Sequence, residues 1–505
     1  MKARKLTRIT TAMAMLAVGG MSLSMVAQDT TTPAQKPKHH QYKLIDLGTL
    51  GGPQSFLPFQ GERSINNQGT LNPAMDTSTP DPFFPNGLGA DGYVLHAASW
   101  RSGSVTDLGA LPGSSSTTNW ISDSGLIAGI SENGVIDPDF GAVEFRAVYW
   151  KNGHIRDLGT LGGYESLAFA VNNQGIVVGC TENQIPDAYS IFCGGASQSR
   201  AFRWQNGVMH DLGTLGGNDA AAFYVNDSDQ IAGLSYTNNV PNATTGVPTL
   251  DPFLWQDGKM IDLGSFGGTQ AGMQGLNNRG QVVGESFLAG DVTYHPYLWD
   301  RGKLKDLGTL GGDWGQANAL NEDGDVVGVS ALPPGPHDHD AFLWRRGVMT
   351  DLGNLGVTSW GYKINSHDQV VGASAVDASI AAAFLWENGG PMVDLNGLVE
   401  NSSGEQLVFG LGINDSGQIA ATGYLPNGDW HAFTLIPDGD CDDHDYKVRL
   451  AASRINAASL NRFIGNQAGL GITDAPPARG IPGLNPGGRS PRSTIQGGHV
   501  MPTLR

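Results

Sequence analysis

The chain has 505 residues, of which 40% are apolar and 15% charged, with 72 glycines and a net charge of −18. That apolar share is enough to bury a core, and abundant Gly with modest charge points to short strands joined by tight turns. Residues 446–505 carry eight Lys/Arg against one Asp, so the body before them is more acidic still. This excludes nucleic acid as a partner, because phosphate recognition needs Lys and Arg.

At the N-terminus, Lys2, Arg4, Lys5 and Arg8 precede an apolar stretch over 9–26 that ends at Ala27. This is the layout of a cleavable secretory signal over residues 1–27. Thr10, Thr11, Gly19, Gly20 and Ser22 dilute the stretch below a spanning helix, which needs ~20 mostly apolar residues. We therefore expect a secreted or periplasmic monomer with no membrane span. Residues 28–41 read as a linker.

From there on one motif recurs. DLGTLGG at 46–52 returns at 107, 157, 211, 262, 306 and 351 with small changes, and as DLNGL at 394–398; the spacings are 61, 50, 54, 51, 44, 45 and 43 residues. Self-similarity on the order of 40–50 residues is the period of propeller blades. Each unit contains four strand-like pieces. The first reads like AFAVN (168–172) or ANALN (317–321), the second like GIVVG (175–179), the third like AFLW (341–344, 383–386), and the fourth like HIRDLG (154–159). The connecting NNQG, NEDG, KNG and QDG steps offer the Asn, Asp and Gly that tight hairpin turns demand. Runs such as AFLW are apolar throughout, as expected of strands covered on both faces.

The strand count constrains the architecture. Residues 43–48 form a lone fourth strand with no first three before it, and the repeats end on 410–414, 417–423 and 431–436 with no fourth after them. The orphan at one end supplies the deficit at the other. This predicts an all-β, eight-bladed β-propeller over 42–437, of four-stranded blades closed by the N-terminal strand. The alternative is an open β-solenoid, which needs caps rather than matching deficits.

These segments resemble the HAF-type extracellular repeat family, named for its His-Ala-Phe step. The likeness rests on HAF at 431–433, AFLW at 341–344 and 383–386, and the DLGTLGG copies. It covers about residues 42–437, with departures at RAVYW (146–150), HPYLW (295–299) and HAASW (96–100). The resemblance implies export and a β-propeller-like repeat scaffold. It carries over no catalytic residues.

Most conspicuous side chains belong to that scaffold. Trp100, Trp150, Trp204, Trp255, Trp299, Trp344 and Trp386 share one repeat position, which is a packing position. The recurrent Asp of DLG is expected to accept backbone N–H groups of its turn, and the Asn closing each first strand is read likewise. The His of HAF is replaced by Arg146, Arg200, Asp251, Asp340 and Ala382, which argues against a common chemical role.

A ligand site should therefore lie where the repeat is broken. On the first strands, Trp120, Tyr224 and Lys363 stand out two places before the closing Asn, and Glu62 and Arg63 stand out in their own strand. These five would face a central channel, a frequent ligand location. Tyr164, Trp314 and Trp360 follow the LGG segments and are candidates for exposed, stacking aromatics on one rim. Cys180 and Cys193 flank one long loop, and export permits a disulfide between them; Cys441 is left over. His337 and His339 lack a third metal ligand, and DGDCDD (438–443) departs from a calcium loop at Asp443 and Arg449. No metal, cofactor or catalytic residue is assigned.

Residues 438–505 read as an acidic cluster followed by a disordered basic tail. The sequence favours a non-enzymatic binding or scaffold module for a glycan or protein ligand, because only one channel carboxylate can be nominated. The alternative is a propeller enzyme acting on extracellular polysaccharide through the channel.

Overall fold

The computed structural model describes residues 39–440 apart from 60–61, 90, 113–114, 139–140, 195–196, 244, 334–337 and 378. The signal segment, most of the linker, His337, Cys441 and the tail beyond 440 lie outside the described residues. The described chain is all-β, with six antiparallel sheets of four strands and one sheet of nine. Among the described residues no helix is long and apolar enough to cross a membrane.

The sheet of Ser166–Val171, Val177–Pro186, Ser197–Gln205 and Val208–Asp211 shows how the repeat folds. Its strands pair in chain order. The third and fourth are joined at Asn206–Gly207 with φ of 53° and 91°, a positive-φ pair that Asn and Gly supply at low cost. The first strand bulges between Ala168 and Ala170. There Gly179 of the second strand is obligatory, because a Cβ on it would collide with the Leu167 carbonyl oxygen. Trp204 is 3% exposed and Trp150 1%, and the Trp150 indole donates to the Leu108 carbonyl at 3.0 Å. The shared Trp position is core.

The nine-stranded sheet is two such units joined by a single parallel bridge, Leu250 to Gln270. One four-stranded sheet is built from distant parts of the chain. Its order is His40–Asp46, Trp430–Asp440, Ile419–Tyr424, Gln406–Ile413, with Leu44 opposite Leu435 and Asp46 opposite Phe433. The lone N-terminal strand and the three-strand remainder thus lie in one sheet.

Neighbouring sheets are stitched at the ends of their first strands. The Asn172 amide donates to the Asn226 carbonyl, Asn226 to Asn277 and Asn277 to Asn321, at 2.9–3.1 Å. Asn321 donates to Asn365, Asn365 to Asn414, Asn414 to Asn66 and Asn66 to Ser122, at 3.0–3.3 Å. Ser122 replaces the Asn of the other units, and the step onward is made by Ser124 N–H to Asn173 Oδ1 at 2.8 Å. The recurrent Asn therefore has a second duty beyond its own turn.

The DLG Asp accepts the N–H two residues on, as in Asp157 to Gly159 at 2.8 Å. The HAF position makes one shared contact in four units, while Arg146 meets Glu144 instead and Asp251, Asp340 and Ala382 offer no cation. In those four units it faces the DLG Asp across the strand pair: His96–Asp107 at 3.0 Å, Arg200–Asp211 at 2.9 Å, His295–Asp306 at 2.9 Å and His431–Asp46 at 2.8 Å. Different residue types, His and Arg, make the same diagonal cross-strand contact.

Candidate functional site in a cavity at the first-strand ends

A cavity of about 340 Å³ is lined by the first-strand ends of every unit, and Glu62, Arg63, Trp120, Tyr224 and Lys363 all face it. The local fold explains the placement of the first two. Residues 62–66 form no regular strand. Glu62 N–H donates to the Phe59 carbonyl at 3.1 Å, and Phe59 N–H donates back to Glu62 Oε2 at 2.9 Å. Phe59 is anchored edge-on against Phe409 at 5.5 Å. Arg63 pairs instead with the next sheet, its N–H donating to Asn119 and its carbonyl accepting from Ile121.

Glu62 is 3% exposed, and its second oxygen, Oε1, is buried without a hydrogen-bond partner. Burial pushes its carboxyl well above the usual carboxylate range, against hydrogen bonding by Phe59 and the charge of Lys363. Burial also pushes the Lys363 amine down, to about 8, with Glu62 opposing and Arg63 assisting. Desolvation thus drives both members of the pair toward their neutral forms. Arg63 itself is held by Asp123 at 2.5 Å. Trp120 and Tyr224 meet edge to face at 5.7 Å, and the Tyr224 hydroxyl donates to the Gln274 carbonyl at 2.7 Å. Burial raises the Tyr224 phenol, and the charges of Glu62 and Glu285 add to the effect.

Glu285 was not singled out from the sequence. It stands on the second strand of its unit, behind Gln274. Burial pushes its carboxyl up to about 8, and Oε2 is buried without a partner. Corresponding positions hold Ile130, Cys180, Leu234, Val329 and Ala373. Its cross-strand neighbour is Gly272, where any Cβ would run into the Glu285 carboxylate. An acid at a repeat position that otherwise holds apolar residues or Thr422, opposite Gly272, was the available signal.

The rim aromatics do not join this site. Tyr164 is 39% exposed and stands apart. Trp314 and Trp360 are half-buried and packed on either side of His339, at 5.4 and 4.5 Å, in a row that continues to Tyr294. They fill the space between sheets rather than presenting open faces, which corrects the expectation of exposed stacking surfaces. Cys180 and Cys193 are disulfide-bonded. Among the described residues no group of three or more His, Cys, Asp or Glu is arranged to hold a metal.

No protein-family model and no curated protein matches the chain. Among solved structures it is similar to the β-propeller domain of the Trilobed protease from Pyrococcus furiosus, at 12% identity and a TM-score of 0.40, covering 70% of this chain and 95% of that one. It is similar to a puromycin-hydrolyzing peptidase of Mycobacterium tuberculosis, at 11% identity and a TM-score of 0.41, covering 77% and 61%. It is also similar to dipeptidyl peptidase 4 of Porphyromonas gingivalis, at 11% and 0.32, covering 79% and 61%. The chain thus spans about 61% of the length of the two latter proteins. By name two of these structures are peptidases and the third is a propeller domain of one, which runs against the expectation of a non-enzymatic binding or scaffold module. Glu285 is a second buried carboxyl, but it is not among the residues that line the cavity with Glu62.

Proposed function

We propose that this chain is an exported enzyme of the HAF-type repeat family that cleaves extracellular polysaccharide in the central channel of a closed, eight-bladed propeller. Closure is supported by the Asn-to-Asn bonds that run from sheet to sheet, by the pairing of His40–Asp46 with Trp430–Asp440, and by reading the nine-stranded sheet as two blades.

The observation that carries the reading is Glu62. Its Oε1 is buried and partnerless in a cavity, beside an amine held near neutrality. Glu62, kept protonated by burial, gives its proton to the departing glycosidic oxygen. Lys363, once neutral, takes a proton from the attacking water. Matching an acid and a base to working pH in this way is worth roughly 10²–10⁴ in rate. Trp120 offers a face for a sugar ring. The residues lining the cavity include no histidine, so a Ser–His nucleophile of the peptidase kind has no base there. The test is release of new reducing ends from a polysaccharide panel by the full chain, with E62Q and K363M alongside. We expect product from the wild type and about a 100-fold loss in each variant. No product from any polysaccharide, with cleavage of peptides instead, overturns the reading.

A further inference from the structure

The cavity mouth is ringed by the residue after each closing Asn. Asp123, Asp227, Glu322 and Asp415 occupy every second place. Asn67, Asn173, Asn278 and Ser366 lie between them. The ring has a structural duty, in which the backbone N–H of six members donates to the side chain next along and Ser124 donates in place of Asp123. Asn173 donates to Asp227 Oδ1 at 3.0 Å, and Ser366 to Asp415 Oδ1 at 3.0 Å. Neutral acceptors do the same work, since Asp227 donates to Asn278 Oδ1 at 3.0 Å and Asp415 to Asn67 Oδ1 at 3.2 Å. The acidic positions accept a second bond as well, from the Asn173 amide to Asp227 Oδ2 at 2.7 Å, the Asn67 amide to Asp415 Oδ2 at 3.0 Å and the Asn278 amide to Glu322 Oε1 at 3.0 Å.

These acids hold hydrogen bonds of the fold, and their charge is offset by a cation at one position alone among the described residues. Asp123 is neutralised by Arg63. Among the described residues, no Lys or Arg lies within ion-pair distance of Asp227, Glu322 or Asp415. Below them Glu62, nine-tenths buried and facing the same cavity, holds Oε1 without a partner. With Asp123 paired to Arg63, the acids Asp227, Glu322 and Asp415 leave an excess of negative charge at the mouth, and such an excess beside a low-dielectric cleft attracts cations.

We infer that the mouth selects an amino-sugar polymer with free amines, its ammonium groups set against Asp227, Glu322 and Asp415 while a sugar ring meets Trp120. This rests on the channel being the site of polysaccharide cleavage. The aromatic face favours a sugar chain over a basic peptide, and the acidic ring excludes polyuronates.

Calorimetric binding to the full chain tests this with four probes: hexamers of glucosamine, N-acetylglucosamine and galacturonate, and hexalysine. The glucosamine hexamer should bind about ten-fold tighter than its acetylated form, and raised salt should shrink the difference. The D227N/E322Q/D415N variant keeps one acceptor oxygen at each position for the backbone N–H and, with its unfolding midpoint checked, should lose the preference. Equal binding of the acetylated hexamer, tighter binding of galacturonate or hexalysine, or an unchanged preference in the variant each overturns the inference. If the glucosamine hexamer binds as expected yet no polymer is cut, the catalytic reading fails and the mouth assignment stands. If only neutral polymers bind and are cut, the reverse holds.

Discussion

His431 Nδ1 lies 2.8 Å from Asp46 Oδ1, joining residues 385 positions apart. The pair is the repeat's own HAF-to-DLG contact, made here between the first and last strands of the described chain. Burial alone would raise the Asp46 carboxyl, but the hydrogen bonds from His431 and Gly48 outweigh it and hold it below the ordinary value. A hydrogen bond to a charged group is worth roughly 1.5–3 kcal/mol. H431A should therefore lower stability by about 2 kcal/mol in urea unfolding. An unchanged midpoint would show that the pair is incidental.

Two units break this pattern with acid facing acid. Asp251 stands against Asp262, and burial and then that charge push its carboxyl up to about 6. The native state keeps a proton that the unfolded chain releases between the ordinary value of 3.8 and about 6, so stability falls as pH rises through that window. D251R recreates the Arg200–Asp211 pair. It should stabilise by about 1–2 kcal/mol at pH 7 and less at pH 4. An equal gain at both pH values would refute the assignment.

The N-terminal strand has a second anchor. Glu387 is 2% exposed and meets His39 at 3.4 Å, His40 at 3.3 Å and the Gln369 amide at 2.7 Å. Burial raises its carboxyl, but His39, Gln369 and His40 outweigh that and hold it at about 2. A depressed carboxyl stabilises above its unfolded value and loses that contribution as pH falls toward its folded one. E387Q should cost about 2–3 kcal/mol at pH 7, with the deficit closing between the ordinary 4.5 and about 2. A deficit that persists at low pH would point to packing instead.

Glu285 should behave oppositely. Its proton is retained up to about 8 in the folded chain, so it destabilises progressively as pH rises from its ordinary value of 4.5. E285Q should raise stability by roughly 3 kcal/mol at pH 8 and by little at pH 4. Such a gain is the mark of a group kept at a cost to the fold. Loss of stability at pH 8 would instead assign Glu285 a structural hydrogen-bonding role.

The four-strand unit and the Trp core were legible because each is stated many times, so a single departure does not obscure them. Glu62, Arg63, Trp120, Tyr224 and Lys363 were legible as breaks in that regularity, and the fold brings all five to one cavity. Glu285 was hidden because its meaning lies in its partner, Gly272, and pairing register is needed to see that the two share one space. The HAF contact was hidden for a related reason: His and Arg look unrelated until both face the same Asp. Trp314 and Trp360 misled because a connector residue can turn inward, and His339 draws both rings together.

The central claim is that Glu62 and Lys363 form an acid–base couple in the channel. The most direct measurement is the pH dependence of kcat/KM for polysaccharide cleavage by the wild type and K363R. The wild-type rate should climb as Lys363 loses its proton through about 8, while K363R, whose guanidinium stays charged, should show no such limb and about a 100-fold lower rate. A wild-type profile flat across that range, or a K363R profile that retains the limb, would contradict the account.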